Sequence, residues 1–110
     1  MFKVTANPTF TIEDLELSIP GQNKKGSIEV EFKYIAPDEL PAFQKKNGDK
    51  PTIDVLVGLI VSWSGPVDEQ EKPIPYSEKA LRALCGQFYQ AEKELFQAWH
   101  DGSRGARTKN

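Results

Sequence analysis

The chain is poor in the residues from which most reactive centres are built. Its 110 residues include one cysteine, Cys85, and one histidine, His100. No disulfide can form within one copy, and no cysteine–histidine cluster can hold a zinc ion. An excess of one charge is lacking too. With 14 basic and 16 acidic residues the formal net charge is -2, which argues against broad nucleic-acid affinity, because that affinity comes mainly from neutralising phosphates. Long apolar runs are missing as well. The densest, DVLVGLIVSWSG from Asp54 to Gly65, falls short of the roughly 20 apolar residues that a spanning helix needs. The opening MFKVTANPTF holds no apolar stretch of the length of a secretory signal. The expectation is a soluble, cytoplasmic protein with neither nucleic acid nor membrane among its partners.

The catalytic motifs are equally sparse. There is no G-x-S-x-G, no S-x-x-K and no Walker glycine loop. Cys85 and His100 would stand about 22 Å apart on one continuous helix, beyond the reach of a dyad. Cys85 also falls on an apolar stripe, where a free cysteine packs as a small hydrophobe. Glu13, Asp14 and Glu16, and again Asp68, Glu69 and Glu71, lack the ligand spacing of a calcium loop and read as a solvated edge and a solvated loop. Lys24, Lys25, Lys45 and Lys46 read as loop solubility. No catalytic residue, cofactor or metal site is expected, and the chain does not read as an enzyme.

What is present is pattern. Hydrophobic residues make up 38% and charged residues 27%, the balance of one globular domain at this length. Phe10 and Ile12, then after a shift Leu15, Leu17 and Ile19, alternate with a period of two, as do Ile28, Val30, Phe32 and Tyr34. Between them PGQNKKG, Pro20 to Gly26, supplies turn residues, so the spacing predicts an antiparallel hairpin of strands near 9–19 and 27–35. Pro37, Asp38 and Glu39 then suit a helix start, Leu40 and Phe43 fall a helical step apart, and Asn47 with Gly48 supplies a stop, which predicts a short helix over 37–46.

The run from Asp54 to Gly65 satisfies two periods at once. Ile53, Leu56, Val57, Ile60 and Trp63 suit a helix over 52–63 with Thr52 as cap. Val55, Val57, Leu59, Val61 and Trp63 suit a strand. Farther on, Ser77 stands as an N-cap before Leu81, Leu84, Cys85, Phe88, Ala91, Leu95 and Trp99, one apolar stripe that predicts a helix over 77–100 with Gly86 as its weak point. Residues 103–110 have no apolar period and carry Arg104, Arg107 and Lys109, which marks a flexible basic tail behind a domain of residues 1–102. Trp63 and Trp99 fall near the ends of predicted helices, where an indole can bury its ring and keep its N–H at a polar rim. Aromatics so placed serve as interface anchors. Trp63, Trp99 and Phe96, in the same segment as Trp99, are therefore the candidate partner-binding residues, with self-association as one use of them.

Taken in order, FKVTANPTFT, the IPG turn, EVEFKY, DELPAF, DVLVGLIVSWSGPV, PYSEKALRALCGQFY and the Lys-Asn ending resemble the phage tail assembly chaperones of long-tailed phages and prophages. The resemblance implies an α+β fold, an N-terminal antiparallel β-hairpin followed by a small bundle of three to four helices, and it favours helix for the run that ends in Trp63. Relatives commonly carry a Pro-Gly break where this chain has Phe88, Tyr89 and Gln90, which leaves the last segment open between one bent helix and two short ones. The function implied is that of a non-catalytic helper in the host cytoplasm, which binds the tape measure protein and recruits tail tube subunits. In many such phages a ribosomal frameshift near the end of the gene appends a second domain to a minority of copies. The alternative is a minor tail protein that stays in the virion.

Overall fold

The computed structural model describes residue 4, residues 6–21 and residues 25–105. Strands β1 (Thr9–Ser18) and β2 (Lys25–Lys33) form the antiparallel hairpin. The shift in the sequence alternation is a β-bulge. Ile12 pairs with Val30 and Leu15 with Ile28, so β1 spends one residue more than β2 over that interval. Glu13 and Asp14, which sit in the bulge, are both exposed. The extra residue returns Leu15 and Leu17 to the face already occupied by Phe10 and Ile12, and that face is the core face. Of the acidic group, Glu13 and Asp14 therefore face solvent as expected, and Glu16 is half-buried. Of the turn from Pro20 to Gly26, residues 22–24, with Lys24, lie outside the described residues, and Lys25 and Gly26 already belong to β2.

Helix α1 (Leu40–Asn47) starts after a turn at Pro37–Glu39, with Pro41 in its first turn, where a missing N–H costs nothing. Its stop is the expected one: Asn47 Nδ2 donates to the Phe43 carbonyl at 2.9 Å.

The run from Asp54 to Gly65 divides, and the helix expected over 52–63 is thereby corrected. Helix α2 covers Thr52–Leu59, and strand β3 covers Ile60–Ser64. Thr52 opens α2 without capping it. Val55, Leu56 and Leu59 bury the helical face, then Ile60 turns extended (φ -87°, ψ 126°). Val30 pairs with Trp63 and Phe32 with Ile60, so β3 adds to the outer edge of β2 and the sheet order is β1-β2-β3. A hairpin alone would leave that edge of β2 without ladder partners, and the β-branched pair Ile60 and Val61 suits a pleated surface better than a helix. A second bulge sits at Val61, between the Phe32 and Glu31 pairings.

The last segment is two helices, α3 (Glu78–Gln87) and α4 (Ala91–Ser103). Ser77 caps α3 as expected, its side chain accepting from the Ala80 N–H at 3.0 Å. The break comes at Phe88–Gln90, where the resemblance had left two short helices open, and not at Gly86. The two helices have different partners: α3 packs chiefly on α2 and α4, whereas α4 lies on β1. By turning, the chain keeps Leu81 on α3 and Ala91, Leu95, Ala98 and Trp99 on α4 buried together. α4 lies across β1, and α2 packs between α3 and α4. Glu94 ties α4 to the end of β1: its carboxylate accepts from the Ser18 backbone N–H at 2.8 Å and from the Ser18 hydroxyl. Ser103 is the last residue of α4, and of the tail beyond it residues 106–110 lie outside the described residues.

The core is one cluster, filled from the sheet by Leu15, Val30 and Phe32 and from the helices by Leu56, Leu59, Leu81 and Leu95. The opposite face of the sheet is polar. Glu31 there accepts from the Thr9 hydroxyl at 2.7 Å and the Ser62 hydroxyl at 3.2 Å, which links all three strands.

Candidate partner-binding site

The described residues contain no helix long and apolar enough to cross a membrane and no group of three His, Cys, Asp or Glu residues that could hold a metal ion. Cys85 is half-buried on α3 and packs against the core. Burial, with the charge of Glu92 adding to it, pushes its thiol up to about 11, so it stays protonated at neutral pH. Two apolar recesses of the surface hold the three aromatic candidates between them, and Phe96 also borders a more polar hollow that it shares with Tyr89 and Lys93.

The larger recess, about 470 Å³, runs between α3 and one end of the sheet. Its construction follows from what α3 does not cover. α3 packs chiefly on α2 and α4 and fully buries only Leu81. Ala80, Ala83, Leu84 and Gln87 of α3 therefore form one wall, and Leu17, Ile28 and Trp63 form the opposite one. The spacing 80, 83, 84, 87 places the helical residues on one face.

The loop between β3 and α3 closes one side of this recess and is well tied. Gly65, at φ +118°, passes so close to β2 that a Cβ would stand 3.1 Å from the Ile28 Cα. The Trp63 indole N–H donates to the Ile74 carbonyl at 2.8 Å, and the Trp63 ring meets Tyr76 edge-on with centroids 5.1 Å apart. Asp68 holds the loop tip, its Oδ1 accepting from the Gln70 and Lys72 backbone N–H groups at 2.8 and 3.0 Å. Val67, 50% exposed, forms an apolar lip. Trp63 is thus a wall of the recess on a strand, where the sequence had placed it at a helix end. Ala80 and Ala83 carry no chemical signal of their own. Only their addition to the stripe of Leu81, Leu84 and Cys85 hinted that α3 is apolar over a wider arc than one packing partner uses.

The second recess, about 370 Å³, lies between α1 and α4 and brings Phe96 and Trp99 together with Leu40, Phe43 and His100. Trp99 is 5% exposed. Its ring lies 5.4 Å from Phe96 and 5.7 Å from Phe43, and its indole N–H donates to the Lys33 carbonyl at 3.0 Å. It is a core residue with one edge on the recess, whereas Phe96 is half-buried and more open to a partner. His100 lines the same recess, with its Nδ1 3.5 Å from Asp101 Oδ1. Tyr89, at the α3–α4 corner where the resemblance had left a break open, is 90% exposed and was not among the partner-binding candidates.

No curated protein and no solved structure matches the chain. A family model described as phage tail assembly chaperone matches residues 1–110. The expectation drawn from the order of motifs along the sequence is met over the whole length, and the chain belongs to the phage tail assembly chaperones.

Proposed function

We propose that this chaperone binds the tape measure protein and recruits tail tube subunits to it in the cytoplasm of the host cell. The observation that carries the reading is the family match over residues 1–110. The surface supports it in kind: two open apolar recesses and the exposed Val67 and Tyr89 suit repeated, individually weak contacts with a long apolar partner. Many such contacts along one chain gain by multivalency what each lacks in affinity. Self-association of neighbouring copies on the partner, with Phe96 at the open edge of the second recess, belongs to the same reading.

Coexpression with the tape measure protein of the same phage tests it. The expected result is that the tape measure protein stays soluble and copurifies with the chaperone, and that tube protein added to the complex assembles on it. A tape measure protein equally soluble alone, with no complex formed, overturns the reading. So does mass spectrometry of purified virions that finds this chain in stoichiometric amount, the result expected of a structural tail protein.

A further inference from the structure

We propose that the trough along α3 seats one amphipathic helix whose apolar stripe is flanked by lysine or arginine. The proposal rests on the reading that the chain binds a tail protein, and it narrows that reading to a surface and a partner chemistry. Ala80 to Gln87 span about two helical turns, enough to meet three successive anchor positions of a partner helix. The two alanines let helix axes approach to about 8–10 Å. The facing wall is preformed, because Trp63 already has its indole N–H satisfied by Ile74 and its ring held by Tyr76. An apolar side chain entering there strands no polar group on Trp63.

Charge selects the flanks. Asp68 and Glu69 stand on the lip, and among the described residues no basic residue lines the trough. The Asp68 carboxylate is fixed at the lip by the two backbone N–H groups of its own turn, and Glu69 is exposed. A helix with cations beside its apolar stripe is attracted there, and one with carboxylates is repelled.

The test uses the full chain and two synthetic helical peptides. Both carry leucine and alanine at i, i+3, i+4 spacing, one flanked by lysines and the other by glutamates. In a nitrogen-15 chemical-shift titration the lysine peptide is expected to shift Ala80, Ala83, Val67 and the Trp63 indole, and to bind at least about fivefold more tightly than the glutamate peptide. Glu69→Lys should erase most of that preference. Ala83→Arg, at an exposed position, should weaken the lysine peptide about tenfold or more by filling the trough, with an unchanged unfolding midpoint. Equal binding of the two peptides, shifts confined to the α1–α4 recess, or a wild-type dimer that Ala83→Arg makes monomeric would each overturn the proposal, the last by showing a second copy in the trough. Coexpression separates this failure from that of the broader reading. If Ala83→Arg still keeps the tape measure protein soluble as wild type does, the trough is the wrong site and the function stands. If wild type fails too, the function falls, and the peptide titration alone judges the trough.

Discussion

Gly102 is the position where one added methyl group should be felt most. It lies in the last turn of α4, where that helix passes over β1. A Cβ there would sit 2.6 Å from Phe10 Cε2 and 3.1 Å from Ile12 Cδ1, against the 3.5–4.0 Å or so of a relaxed carbon–carbon contact. Phe10 cannot yield inward, because its ring stacks on Phe32 at 5.6 Å and Phe32 is fully buried. It must swing outward and give up that stack, or α4 must lift. Overpacking of this kind costs about 1–3 kcal/mol, and alanine recovers at most about 1 kcal/mol of helix propensity, less near a helix end. Gly102→Ala should therefore destabilise the protein by about 1 kcal/mol net, or roughly 4–8 °C in Tm for a domain of this size. Gly86→Ala, the same change in α3 where a Cβ meets nothing within 4 Å, should stabilise by about 0.5–1 kcal/mol. Urea and thermal unfolding followed by circular dichroism read both. In a Phe10→Ala background the penalty at Gly102 should fall by more than half, since the 2.6 Å clash is gone and only the 3.1 Å approach to Ile12 Cδ1 remains. Equal shifts at Gly102 and Gly86, or a penalty that survives Phe10→Ala undiminished, would refute the reasoning.

Ser77→Ala removes the side-chain acceptor for the Ala80 N–H and should cost about 1 kcal/mol in urea unfolding; an unchanged midpoint would show that solvent replaces the cap without loss. Trp99→Ala should cost about 3–5 kcal/mol, so any loss of self-association in that variant reports on folding, whereas Phe96→Ala should weaken association with a smaller loss of stability; a Trp99→Ala protein of near wild-type stability contradicts its place in the core. The Cys85 thiol, raised by burial from its ordinary 9.0 to about 11, binds its proton more tightly folded than unfolded. Its contribution to stability is thus complete below pH 9 and is lost as the pH rises toward 11. Unfolding midpoints across that window should fall more steeply for wild type than for Cys85→Ala, and parallel slopes would count against the burial argument.

The alternating runs of β1 and β2, their phase shift at Glu13 and Asp14, the Ser77 cap and the stripe through Leu95 and Trp99 were legible because each is a local pattern, complete within one segment. The order of such segments was enough to recognise the family. Of the candidate site, the sequence picked out Trp63, Phe96 and Trp99 by residue type, yet it could not tell that the first stands on a different recess from the other two. It also passed over Ala80 and Ala83, since an alanine in a groove matters only through the space it leaves. The run from Asp54 to Gly65 was legible as apolar and ambiguous as structure. Its residues satisfy the helical and the strand period together, and the choice at Ile60 belongs to a partner distant in the chain, the outer edge of β2. The break at Phe88–Gln90 was open from the resemblance alone, because the apolar stripe from Leu81 to Trp99 runs across it without interruption while α3 and α4 pack on different partners. A segment's own periodicity determines which side of it is apolar; where two periods fit equally, or where one stripe serves two helices with different partners, only the assembled core decides.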